Sequence, residues 1–166
     1  MQYRIALIGL LATTLFHLVE NVEGENLIVK VVTPEEMNKI LEEYPDAVEM
    51  TATKTAIEGR SMHRQARSVT TYTLGTGRVS GDSLVSSESS TNDFDVATTV
   101  SANIRYPCTG TGTGAVVTYV KINVYQSNSD GRAYVTSGGI GSTYVAITVE
   151  AVKTYYFDLY TFVYGK

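Results

Sequence analysis

The feature that most constrains this chain is a two-residue alternation that runs through its C-terminal part. Phe94, Val96, Thr98, Val100, Ala102, Ile104 and Tyr106 alternate with Asp95, Ala97, Thr99, Ser101, Asn103 and Arg105. Successive side chains of a strand point to opposite faces, so this run predicts a strand with one buried face. Val116, Thr118, Val120, Ile122 and Val124 repeat the pattern against Tyr119, Lys121 and Asn123. Val145, Ile147 and Val149 repeat it again, and Tyr155, Phe157, Leu159, Thr161 and Val163 make a last long strand. Shorter strands fit at residues 69–74 and 84–87. Gly-rich turns separate these runs: Gly75-Thr76-Gly77, Ser80-Gly81-Asp82, residues 109–114, Asn128 to Gly131, and Ser137 to Gly141. About six strands without a helical period predict an all-β domain over 68–166, an antiparallel β-sandwich or barrel.

The last strand carries a second apolar row. Tyr156, Tyr160, Phe162 and Tyr164 fall on the face opposite Phe157 and Leu159. A sheet wet on one side would be polar there. Either both faces of a central strand are covered, a packed helix included, or the rings form a binding stripe.

Residues 25–67 have another character. Thr33-Pro34-Glu35-Glu36 is a helix start: Thr33 caps, Pro34 suits the first helical position and Glu36 completes a capping box. Met37, Ile40, Leu41 and Tyr44 then share one face, and Pro45 stops the helix. This short amphipathic helix either packs on the β-domain or belongs to a removable pro-segment. Arg64-Gln65-Ala66-Arg67 has the basic spacing that secretory convertases use, with cleavage before Ser68, and reads equally as an exposed linker.

Met1 to Arg4 and the uncharged apolar run Ile5 to Phe16 read as a signal peptide over 1–24. Val22 and Gly24 stand at minus three and minus one of a cut that would leave Glu25 as the new N-terminus. The run is shorter than the ~20 residues a membrane helix needs, and no later segment is long and apolar enough. The expectation is an exported product with no membrane span.

Composition excludes several chemistries. From Ser68 onward there are six Lys and Arg against seven Asp and Glu, so the basic excess of a nucleic-acid surface is missing. His17 and His63 both precede the β-domain, which argues against Ser-His and Cys-His nucleophiles and His-based zinc sites. Asp93, Asp95 and Asp158 form no pair that spacing alone brings together, and Asp82, Asn128 and Asp130 match no calcium loop. Gly138-Gly139-Ile140-Gly141 sits between strands with no helix after it, so it reads as a turn and not a phosphate cradle. No catalytic residue, metal site or cofactor is expected. Cys108, the single cysteine, reads as a quiet thiol or as an intermolecular bridge that makes a dimer.

Several segments in order resemble one family. Gly77-Arg78-Val79-Ser80-Gly81-Asp82-Ser83-Leu84-Val85 is similar to the opening of the insect multiprotein-bridging-factor type-two family. Val117 to Ile122 resembles its middle strand. Asp130-Gly131-Arg132-Ala133-Tyr134-Val135-Thr136-Ser137-Gly138-Gly139-Ile140-Gly141 resembles its most characteristic segment, with Arg132 where the family usually has a second Gly. Tyr155 to Gly165 resembles its aromatic closing strand. The resemblance implies either a transcriptional co-activator bridging a DNA-bound factor and the basal machinery, or a secreted relative in gut, saliva or haemolymph with a role in defence or pathogen response. The N-terminal run and the charge balance point to the second: a secreted, non-enzymatic β-domain acting by binding an unknown protein or small ligand.

Overall fold

The computed structural model describes residues 27–56, 68–108 and 113–166. The expected signal peptide with Gly24, and the expected cleavage stretch with Arg64 and Arg67, lie outside the described residues.

The elements run β1 (Leu27–Val31), α1 (Pro34–Glu42), β2 (Val48–Glu49), β3 (Thr51–Ala56), β4 (Ser68–Leu74), β5 (Ser83–Tyr106), β6 (Val117–Gln126), β7 (Gly131–Gly138) and β8 (Val145–Gly165). All pairings among the described residues are antiparallel. The sheet order is β1-β5-β8-β6-β4-β3, with β7 on β8 and β2 on β7. The expected antiparallel all-β class holds. Five of the eight described strands, β4 to β8, fall in 68–166, where about six were expected, three more precede them, and the path from β1 to β3 does not close into a barrel.

Two predicted breaks turn out to be bends. Residues 84–87 and 94–106 belong to one strand, β5, whose register slips between Asp93 and Thr98. Residues 145–149 and 155–163 belong to one strand, β8, bent at Lys153, which adopts φ 49°. β5 runs along one edge of β8. β7 pairs with residues 145–151 of β8 and β6 with residues 157–165, so β6 and β7 share its other edge. The slip in β5 and the turn at Lys153 in β8 fall at the same level of the register, where Thr98 pairs with Thr154, and residues on both sides of it feed one core.

That core explains the alternation. Val100, Ala102, Ile104, Val145, Ile147 and Val149 come from one half, and Val120, Ile122, Val124, Phe157, Leu159 and Val163 from the other. Tyr72 of β4 reaches across the layers: its hydroxyl lies 3.3 Å from where a Cβ on Gly131 would sit. Burial pushes the Tyr72 phenol well up, with Glu150 adding to the effect. The alternation also misleads at the bends. Val96 is 70% exposed and Tyr155 is 55% exposed, because each lies where the strand turns out of register.

The helix forms as its first turn dictates. Thr33 Oγ1 accepts from the Glu36 N–H at 3.2 Å, and the Thr33 N–H donates to Glu36 Oε2 at 2.7 Å. Its buried face does not meet the aromatic row of β8. Met37 and Val32 pack instead with Tyr134 of β7, joined by Ile40, Leu41 and Ala47. The segment 27–56 is thus knit into the sheet, with β1 on β5, β3 on β4 and β2 on β7.

Candidate functional site

With the helix elsewhere, the outer face of β6 and β8 is left to solvent. Register sets Tyr119 beside Tyr164, Lys121 beside Phe162, Asn123 beside Tyr160 and Tyr125 beside Asp158. The Tyr119 and Tyr164 rings stack at 6.0 Å, and those of Tyr125 and Tyr160 meet edge to face at 5.9 Å. Aromatic pairs of this geometry favour one another beyond their buried area. Tyr160 stays exposed, and Phe162 and Tyr164 are half-buried. Tyr156 does not belong to this surface. It is 7% exposed, and its hydroxyl donates to the Gln126 carbonyl at 2.8 Å beside the bend.

One end of the row is built by the turn between β4 and β5. Gly77 and Gly81 take φ of 129° and 83°, where a side chain would be strained. Asp82 lies between them and β6. Its carboxylate accepts from Arg78 Nε at 2.7 Å, from the Val79 N–H at 3.0 Å and from Thr118 Oγ1 at 3.1 Å, with Arg78 Nη2 at 2.6 Å. The Arg78 guanidinium holds the carboxyl down at about 2, helped by the Val79 and Thr118 donors. So fixed, Arg78 lies 3.9 Å above the Tyr164 ring centroid, a cation–π contact. Leu84, opposite Tyr164 on β5, is exposed, while Val85 packs half-buried against the core.

The bends carry the other motif residues to two ends of the molecule. Gly138, Gly139 and Gly141 all have positive φ. The Gly141 N–H donates to the Val117 carbonyl, and Val117 donates to Ser142. A Cβ on Gly138 would lie 2.3 Å from the Tyr144 oxygen, and one on Gly165 2.8 Å from that of Val116. These glycines tie the end of β7 to the start of β6, near Asp82 and Thr118. Ser137 is exposed at the end of β7. Asp130 and Gly131 sit at the opposite end, on the bend. The Asp130 carbonyl accepts from the Val152 N–H, and a Cβ on Gly131 would lie 2.3 Å from the Glu150 oxygen. The motif residues are therefore mostly architectural, with Arg78 the one that reaches the aromatic face.

Thr118, Tyr119 and Tyr125 were not singled out by sequence reasoning. Tyr119 fell on the outer face of a predicted strand, and the missing step was that β6 pairs with β8. Among the described residues no three His, Cys, Asp or Glu side chains gather to hold a metal. Cys108 is half-buried after Pro107, and the chain has no second cysteine for an intrachain bridge.

The comparisons with known proteins give one positive result. The family model described as Transcription activator MBF2 matches residues 75–165. No curated protein and no solved structure matches the chain.

Proposed function

The chain belongs to the transcription activator MBF2 family, and from that premise we propose that it is a non-enzymatic binding domain whose docking surface is the aromatic outer face of β6 and β8. The observation that carries this is the row of Tyr160, Phe162 and Tyr164, left open by the helix and mounted on the central strand of the sheet. Tyrosine and arginine are enriched among the side chains that anchor protein interfaces: tyrosine buries much area at low entropic cost, and arginine brings a planar group that stacks and donates several hydrogen bonds. Arg78 supplies that second element over Tyr164. The partner is a protein, met by this aromatic row and Arg78.

The place of action is read from the N-terminus. The run Ile5 to Phe16 with the Val22 and Gly24 pattern supports export, and no helix among the described residues is long and apolar enough to cross a membrane. We take the product as extracellular, in keeping with a defence role in gut, saliva or haemolymph. A second reading is favoured by the family description itself: a co-activator that bridges a DNA-bound factor and the basal machinery. Expression of the full chain in insect cells separates the two. Export predicts protein in the medium beginning at Glu25. Full-length protein confined to nuclei would overturn it in favour of the bridge.

A further inference from the structure

We propose that a cleft between α1 and the outer face of β5, β7 and β8 binds a small organic monocarboxylate with an aromatic or aliphatic body. This site is separate from the aromatic face and does not depend on it. The helix is anchored through Met37 on Tyr134, while Ile40 in its last turn and Tyr44 just after its C-cap line a cleft whose strand positions are occupied by small residues. Ala146 faces Arg105 in the β5–β8 register, and Thr136 and Ser137 follow on β7. The space left is about 380 Å³, within the range of small-molecule sites.

Its polar groups select the ligand. Arg105 is exposed, and its side chain makes no ion pair or hydrogen bond among the described residues. Beside it, the Thr148 hydroxyl donates to Asn103 Oδ1 at 2.8 Å, which leaves both protons of the Asn103 amide nitrogen uncommitted among the described residues. A guanidinium and an amide, both donors, therefore face one space, and a carboxylate matches them with two oxygens. Glu43, at the end of α1, also lines the cleft and makes no ion pair with Arg105. Its charge disfavours a dianion such as phosphate and leaves room for one negative charge. Ile40, Tyr44 and Tyr144 offer apolar surface to the rest of the ligand.

The test is titration of the ¹⁵N-labelled protein with three probes of one shape: phenylacetate, its methyl ester and phenethylamine. Phenylacetate alone is expected to give saturable shifts at Asn103, Arg105, Ala146 and Thr148. Arg105→Gln, a change at an exposed side chain, is expected to weaken binding by about tenfold or more, as loss of a charged hydrogen bond implies. Ala146→Leu, which fills the cleft, is expected to abolish it. Equal binding of the ester or the amine, shifts that persist in Ala146→Leu, or no shift with any probe would each overturn the proposal.

Discussion

Asp82 and Glu150 carry the same charge and respond to acid in opposite directions. Asp82 is held at about 2 by Arg78, then by the Val79 N–H and Thr118. A carboxyl depressed by folding stabilises the fold above its unfolded pKa of about 4, and that contribution fades as pH falls toward 2. Asp82→Asn is therefore expected to lower the thermal midpoint at pH 7, with the gap to wild type closing between pH 4 and 2. Glu150 is raised, chiefly by burial, with Arg132 working against the shift. Its contribution is present below the unfolded pKa and is lost as pH rises through the folded one. Glu150→Gln is expected to raise the midpoint at pH 7 and to match wild type below pH 4. Melting curves of both variants across pH 2 to 8 check the signs. At this scale the sequence was partly legible. Gly77-Arg78 and Gly81-Asp82 stood out as a motif. That Asp82 fixes Arg78 over Tyr164 depends on Thr118 and Tyr164, far away in the chain.

The bend is the element that organises the fold, and side chains hold it. Thr154 is fully buried there. Its Oγ1 accepts from the Ser127 N–H at 3.1 Å and donates to the Tyr156 carbonyl at 2.6 Å. Asn128 Nδ2 donates to the carbonyls of Val152 and Lys153, and the Ser68 hydroxyl donates to the Asn128 carbonyl. Thr154→Val keeps the shape and orphans the Ser127 N–H, so it is expected to cost about 1–3 kcal/mol in urea unfolding, with Thr154→Ser restoring most of it. These bends are why β5 and β8 each read as two strands. Alternation reports which face is buried, and it breaks wherever the pleat slips, as at Val96 and Tyr155. Leu27–Val31 and Thr51–Ala56 were missed as strands for a different reason. Both lie at the sheet's edges: the side chains of β3 are exposed throughout, so no buried face marks it, and β1 turns only Leu27 and Val29 to the core, too short a run to show a period. Of the outer face, sequence showed the row on β8 but not its neighbours on β6, and it counted Tyr156, which the bend buries.

Over the whole molecule, residues 27–56 and the matched family region form one sheet. The family match begins at residue 75, yet Tyr72 of β4 is 1% exposed in the core, and β1 and β3 take both edges. A chain starting at Ser68 keeps β4 but loses Met50 from the core and bares the edges of β4, β5 and β7. It is expected to melt lower than the chain starting at Glu25 and to self-associate through those edges, seen as a concentration-dependent shift in gel filtration. The docking face on β6 and β8 lies apart from β1 and from the helix, so neither covers it. The most direct measurement of its role places a photo-crosslinking residue at position 160 or, as a control, at exposed position 52 on β3, with the full chain expressed in insect cells and both cells and medium irradiated. The account predicts a saturable protein adduct from position 160 alone, competed by excess wild type and not by a folded Tyr160→Ser, Phe162→Ser double variant. No adduct at 160, or an equal one from 52, would contradict it.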